Sequence, residues 1–318
     1  MNGIIVIDKP SGWTSHDVVA KLRGALKIKR IGHGGTLDPM ATGVLPVFIG
    51  RATRAAEFCE NAEKEYIAGL MLGIVTDTQD ITGNILSENE VNVTEDELLA
   101  VLPRFMGAQK QIPPMYSAIK KDGQKLYELA RRGLDVPRDA RDIFISALEL
   151  LSSGCGSSGV ESPELESPEP ESPGSGQPLF KQTFSLRVVC SKGTYVRTLC
   201  NDIGFELGCG GTLFALRRTR AGAFTIDKAL VLDDVISMSL TDSVNSVLLP
   251  IDSIFSEYPS LDLGESEVFK AKNGASCRTK NSIENGKYRV YAPDGEFLLL
   301  GEVSNGKVTT IKSFFEVS

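Results

Sequence analysis

The sequence predicts an α+β protein with a small β domain at its C-terminal end. Three observations carry that reading. Apolar runs of strand length alternate with short amphipathic helical stretches through the first two-thirds of the chain. Two strand-like runs, 142–151 and 181–190, flank a segment of quite different composition and suit an antiparallel pair. Beyond about residue 250 the pattern turns to alternation, with hairpin signals at Asp294-Gly295 and Asn305-Gly306.

The elements follow in order. "GIIVID" reads as a strand and "KPSGW" as a turn. Thr14-Ser-His-Asp17 reads as a capping box with Asp in place of the usual Glu, and Val18, Val19, Leu22 and Leu26 then share one helical face. His16 falls in that first turn and reads as a surface residue. At 32–45, "GHGGTLDPMATGVL" sets four glycines and a proline around one carboxylate, Asp38, just ahead of the buried-strand run "GVLPVFIG". Residues 64–74 read as a strand, followed by the polar turn "TDTQDITG", and a short helix starts at Thr94. Residues 111–143 are rich in Pro, Tyr, Lys and Arg, with one helical piece near 124–132, and form an excursion from the sheet. Basic residues interleaved with Tyr116 and Tyr127 suit a grip on RNA; the plain alternative is a solvated, charged helix-loop. Residues 193–207 form an amphipathic helix with Val196, Leu199, Cys200, Ile203 and Leu207 as its apolar stripe, and Tyr195 and Arg197 in its first turn off that stripe.

The segment 152–178, "SSGCGSSGVESPELESPEPESPGSGQP", has a composition that cannot bury enough apolar surface to offset ordering entropy. It reads as a disordered insertion in an extended hairpin loop; a linker between two domains is the alternative. After residue 225 the chain is helical and acidic, and then enters the β tail.

Composition removes several classes. The chain has 318 residues, 42% hydrophobic and 24% charged, with no apolar run approaching the ~18 residues of a membrane span. Its start, "MNGIIVIDKPSGW", lacks the basic and small-residue features of a signal peptide. Six scattered cysteines form no CxxC pair, and two histidines give no zinc spacing, so a reduced, cytoplasmic protein without a metal is expected. The net charge of −7 hides an asymmetry: residues 1–60, 103–143 and 181–220 together carry 12 more positive than negative side chains. A globally acidic chain can therefore present a basic face to phosphate.

Asp38 alone is no signature, because an aspartate in a glycine-rich loop is commonly a turn-former. A shaped loop ahead of a buried strand is nevertheless a usual place for a functional group. Tyr66 on a strand and Arg197 at a helix start add a phenol and a guanidinium. Such a set can serve covalent chemistry at a sugar or heterocycle. No GxGxxG after a strand, no Walker A and no Ser/His/Asp constellation occurs.

"GHGGTLDPMATGVLPV" resembles the catalytic motif of the TruB family of tRNA pseudouridine synthases, which act on the T-loop uridine at tRNA position 55. "GIIVIDKPSGWTSHDVV" resembles the family's N-terminal strand and turn, and "KEYIAGLMLGIVTDTQDITG" its tyrosine-bearing strand. "QIPPMYSAIKKDGQKLYELARRGLDVPRDAR" resembles its RNA-binding thumb, and "CSKGTYVRTLCNDIGFELGCGGTLFALRR" its second active-site segment. These motifs cover most of residues 2–220 in the family's order, and the insertion at 152–178 departs from the pattern without touching a motif position.

The resemblance implies a pseudouridine-synthase fold, with a mixed, largely antiparallel sheet and flanking helices. The catalytic domain would take 1–249, with the thumb at about 109–143, and a PUA-like RNA-binding domain 250–318. It implies Asp38 as nucleophile, Tyr66 stacked on the target base and active in proton transfer, and Arg197 paired with the catalytic carboxylate. Tyr195 and Leu216 fall on substrate-contacting positions, and His33 on a histidine that inserts into the T-loop. Lys120, Arg131, Arg132 and Arg141 become thumb contacts to RNA, and Lys9 and Pro10 structural supports. The implied partner is the T-arm of tRNA, with no membrane and no obligate protein partner. The implied reaction breaks C1′–N1 of uridine and rejoins the base through C5; its atoms balance, so no cofactor is required. Two rivals remain: a non-catalytic RNA-binding protein on the same fold, and a glycosidase-type hydrolase whose second carboxylate would be Asp80.

Overall fold

The structure is a computed structural model, and it describes residues 1–155, 182–241, 243–278 and 283–316. The chain forms two units. The first takes residues 1–38, 43–60 and 221–318, and the second 39–42 and 61–220.

The first unit opens with β1 (Gly3–Lys9), α1 (Ser15–Leu26), β2 (Ile31–His33), β3 (Thr42–Ile49) and α2 (Ala56–Asn61). β3 runs antiparallel to β1, from Gly3 opposite Ile49 to Lys9 opposite Gly43, and β2 pairs with β3 in the same sense. The unbroken apolar run of β1 has a simple cause: both of its faces are covered. Ile4 and Val6 join Val44, Phe48 and Cys59 in one buried cluster, while Ile5 and Ile7 join Leu45, Val47 and Ile49 in another. The second cluster is closed by Val18, Val19 and Leu22 of α1, the face that the sequence predicts. The capping box is present, with Asp17 N donating to Thr14 Oγ1 at 3.0 Å and Thr14 N to Asp17 Oδ2 at 2.9 Å.

The second unit carries β4 (Lys64–Leu72), β5 (Ile74–Thr76), β6 (Ile85–Glu88), α3 (Glu95–Val101) and β7 (Gly107–Gln111). The excursion follows, with a small hairpin of β8 (Lys120–Lys121) and β9 (Gln124–Lys125) and the short α4 (Leu126–Ala130). It has its own small core of Met115, Leu126 and Leu129. The unit ends with β10 (Arg141–Cys155), β11 (Gln182–Cys190), α5 (Val196–Glu206) and β12 (Gly211–Ala221). Its sheet has the order β12-β4-β11-β10-β7. The expected pair is antiparallel, with Ile145 opposite Cys190 and Cys155 opposite Gln182. β10 therefore extends through the first residues of the expected insertion, whose remainder, 156–178, lies outside the described residues. The run 64–74 breaks at Gly73, which has φ +86°. Gly69 leaves room for Phe214, since a Cβ there would lie 2.5 Å from its ring.

The chain then returns to the first unit. After β13 (Phe224–Thr225), β14 (Leu230–Val231) runs parallel to β1, and α6 (Leu232–Ser239) adds Leu232 and Val235 to the α1 core. The tail forms β15 (Ser260–Asp262), α7 (Glu265–Lys272), β16 (Cys277–Arg278), β17 (Gly286–Tyr291), β18 (Phe297–Ser304) and β19 (Lys307–Ser313), in a sheet of order β15-β17-β18-β19-β16. Asn305 and Gly306 turn the β18–β19 hairpin with φ of +50° and +70°, as the sequence signal requires. Phe255, Leu300 and Phe314 bury against Ile4 and Phe48, so the tail shares a core with the N-terminal strands. Among the described residues, no helix is long and apolar enough to cross a membrane.

Candidate active site

Asp38 is half-buried and closes the first segment of the first unit. The loop that carries it is fixed from both sides. Ser15, at the start of α1, accepts from Leu37 N at 2.9 Å and donates to Leu37 O at 3.3 Å, one residue before the carboxylate. Gly34 N donates to Pro46 O at 2.9 Å, and a Cβ on Gly34 would sit 2.7 Å from the Phe48 ring and 2.8 Å from Cys59. Gly35 and Gly43 have φ of +105° and +97°, where other residues would be strained. The glycine density around Asp38 is thus a packing and backbone requirement, and the carboxylate sits on a rigid path.

The other first-unit residues lie close along the chain. Lys9, fully buried, donates to Pro10 O at 2.8 Å and Trp13 O at 2.6 Å, knotting the turn that leads into α1. His33 ends β2, opposite Val47, with the His16 ring edge-on to it at a centroid distance of 6.0 Å. His16 is exposed, as its sequence position implies, but this contact was not legible there.

Tyr66, Tyr195, Arg197 and Leu216 belong to the second unit. Tyr66 is half-buried on β4, opposite Val188 of β11, and Leu216 is buried on β12. Tyr195 is the N-cap residue of α5, and its ring lies 5.7 Å from the Arg197 guanidinium carbon, a cation–π distance. Arg197 is 5% exposed. Its Nη1 lies 3.5 Å from Asp80 Oδ2, and its Nη2 donates to Tyr116 O at 2.6 Å. Thumb residues Lys120, Arg131, Arg132 and Arg141 are all exposed, with the Arg131 guanidinium carbon 5.4 Å from the Tyr127 ring centre.

Asp80 bears on the hydrolase rival. The hydrolase reading needs it as a free second carboxylate, yet it is 4% exposed and committed. Its Oδ1 accepts from Thr78 Oγ1 at 2.9 Å, Thr82 N at 3.0 Å and Thr82 Oγ1 at 2.5 Å, and its Oδ2 faces Arg197. A carboxylate so engaged organises its turn and an arginine, and its oxygens are already taken up by Thr78, Thr82 and Arg197. The turn is also tied to β12, because Ile81 N donates to Leu213 O at 3.0 Å and Leu213 N to Gln79 O at 3.1 Å. Gln79 Oε1 in turn accepts from Thr198 Oγ1 at 2.6 Å, a second tie to α5.

Among the described residues, no group of three His, Cys, Asp or Glu could hold a metal ion. The cysteines Cys59, Cys190, Cys200, Cys209 and Cys277 are buried and stand outside any disulfide. Burial pushes the Cys190 thiol to about 11 and the Cys200 thiol upward as well, so neither supplies a thiolate nucleophile near neutrality. Native protein treated with iodoacetamide at pH 8 is expected to leave Cys190 and Cys200 unmodified, with both alkylated after denaturation. Rapid native labelling, read by peptide mass, would contradict that burial.

Comparison with known proteins gives a consistent result. Residues 23–162 match the family model "TruB family pseudouridylate synthase (N terminal domain)", and residues 197–256 match "tRNA pseudouridylate synthase B C-terminal domain". A tRNA pseudouridine synthase B from Syntrophomonas wolfei is 41% identical over 98% of this chain and 96% of its own length. One from Clostridium kluyveri is 36% identical over 99% of this chain and 100% of its own. Among solved structures, a Cbf5-Nop10-Gar1 complex contains a chain with a TM-score of 0.69 and 25% identity, covering 98% of this chain and 85% of that one. With relatives of this identity matched along almost its whole length, the chain belongs to the TruB family of pseudouridine synthases.

Proposed function

We propose that the protein isomerises uridine 55, in the T-loop of tRNA, to pseudouridine, with Asp38 as nucleophile. One observation carries the reading: relatives matched along nearly their full length are named for this activity, and the chain holds in Asp38, Tyr66 and Arg197 the carboxylate, phenol and guanidinium that suit it. A stacked base must first leave its loop, at a cost of about a few kcal/mol, and the His33 ring is of a size to take its place. The flipped base lies against Tyr66, with Leu216 and Tyr195 bounding it. In this reading Arg197 is the cation that serves the catalytic carboxylate. The C1′–N1 bond breaks, the base turns, C5 bonds to C1′, the C5 hydrogen leaves as a proton and N1 gains one. Nothing is oxidised or consumed. We assign residues 1–249 to catalysis and 250–318 to a PUA-like RNA contact, and place the protein in the cytoplasm, acting on tRNA without a protein partner.

The test is to incubate the purified protein alone with an unmodified tRNA transcript and map pseudouridine at single-nucleotide resolution. Pseudouridine at position 55 is expected. Binding without product would leave an RNA-binding protein, and free uracil would indicate a hydrolase.

The exposed thumb cations should carry affinity and little chemistry. Changing Arg131, Arg132 and Arg141 together to Ala is expected to weaken tRNA binding and flatten its salt dependence by roughly one unit of log–log slope for each phosphate left without its cation. The single-turnover rate at saturating tRNA should change less than about threefold. An unchanged salt slope would mean that these side chains do not meet the backbone of the RNA.

A further inference from the structure

We infer that Gln111 is a positioning residue for the isomerisation, holding the first turn of α5 through a two-point pair with the backbone of Tyr195. The inference rests on the reading that Tyr195 and Arg197 serve the site.

Gln111 is the last residue of β7, where the excursion begins, and it is 5% exposed. Its Oε1 accepts from Tyr195 N at 2.8 Å, and its Nε2 donates to Tyr195 O at 3.1 Å. A primary amide presents a donor and an acceptor side by side, so it matches one residue's N–H and C=O as a neighbouring strand would. Tyr195 is the N-cap residue of α5 and makes no side-chain cap bond there, so its main chain marks the start of the helix. Its carbonyl also accepts from Leu199 N at 3.1 Å, so the pair fixes the point where the helix begins. Arg197 follows two residues later.

The same chain segment makes a second tie. Five residues past Gln111, the Tyr116 carbonyl accepts from Arg197 Nη2 at 2.6 Å. The thumb root thus holds α5 at the backbone of Tyr195 and at the guanidinium of Arg197, while Asp80 faces the guanidinium from the turn before β6. Removing the Gln111 pair frees the start of α5 to shift. A displacement on the order of 1 Å in a reacting constellation can cost as much as ~10²-fold in rate.

Residue size and polarity both matter. Asn is shorter by one methylene and cannot reach both groups. Met keeps the length and loses both bonds. Glu keeps the acceptor and, when ionised, sets a carboxylate oxygen against the Tyr195 carbonyl; when protonated, it regains a donor.

The experiment measures the single-turnover rate at saturating tRNA, the tRNA Kd and the thermal midpoint for wild type, Gln111→Met and Gln111→Glu, and repeats Gln111→Met on an Arg197→Lys background. The expected result is a rate about ten- to a hundredfold lower for Gln111→Met, with Kd within about threefold. The Gln111→Glu deficit relative to wild type should shrink as pH falls toward the carboxyl pKa. On the Arg197→Lys background, Gln111→Met should cost about threefold or less, because both changes act on one group. Equal rates per folded molecule for wild type and Gln111→Met, or full additivity with Arg197→Lys, would overturn the positioning role. Should the Met variant misfold, Gln111→Glu alone decides: a rate deficit that does not depend on pH overturns the two-point pair. An inactive wild-type protein would instead overturn the proposed function, so the two failures are distinguishable.

Discussion

Asp38→Asn is expected to abolish isomerisation while leaving tRNA binding intact. The carboxamide has nearly the shape of the carboxylate but is a far poorer nucleophile, and it forfeits the charge-assisted interactions that a carboxylate makes. The loop should keep its path. The Ser15–Leu37 pair, the fit of Gly34 against Phe48 and Cys59, and the positive φ values of Gly35 and Gly43 all remain in the variant. Affinity should persist within about threefold, because most of it comes from binding phosphate and sugar. A rate loss of more than about 10⁴-fold is expected, the scale of removing a nucleophile from an intact site. Single-turnover kinetics on a transcript, with mass spectrometry to exclude deamidation back to Asp, gives the answer. Residual turnover within about a hundredfold of wild type would remove Asp38 from the role of nucleophile.

What the sequence revealed and concealed follows from the range of each interaction. The capping boxes at Thr14 with Asp17 and Thr94 with Glu97 span three residues and are visible as letter patterns. The first strand is visible because both of its faces are buried, which leaves "IIVI" with no polar interruption. The Asn305-Gly306 turn is visible because few residues accept positive φ. Asp38 is conspicuous for a related reason: glycines demanded by Phe48, Cys59 and the backbone path cluster around it.

The hidden interactions pair residues far apart in the chain. Asp80 and Arg197 are separated by more than a hundred residues, and in sequence Asp80 looks like any aspartate of a polar turn. Gln111 and Tyr195 meet through a side-chain amide and a main chain, and no composition records that. Ser152 to Cys155 carry no strand signal, yet they continue β10 because the facing residues, Gln182 to Ser185, supply a ladder. The β tail reads as a separate small domain from its alternation, and its own sheet is as expected. The packing of Leu300 and Phe314 onto Ile4 and Phe48 shows only in three dimensions.

Asp80→Asn is expected to lower stability and activity together, and a second substitution should separate the two effects. The Asp80 and Arg197 side chains are each 6% exposed, so the pair lies where solvent screens it little. Asparagine can still accept from Thr78 and Thr82 through Oδ1, which keeps the turn. It would then present an amide donor toward the guanidinium, donor against donor, with the Asp80 charge gone. Breaking a buried pair on one side costs about 3 kcal/mol or somewhat more, because the remaining charge keeps its desolvation penalty. Urea unfolding should show that loss as a lower midpoint with an unchanged slope. The rate should fall by about tenfold or more, since Arg197 loses one of the groups that fix its position. Adding Arg197→Gln removes the guanidinium that faces this donor and sets two amides face to face. Part of the lost stability should return, while turnover falls further because the guanidinium itself is gone. Stability and activity would then move in opposite directions between the single and the double variant. Parallel recovery of both would show that Arg197 serves folding alone, and an unchanged midpoint and rate in Asp80→Asn would show that the pair contributes to neither.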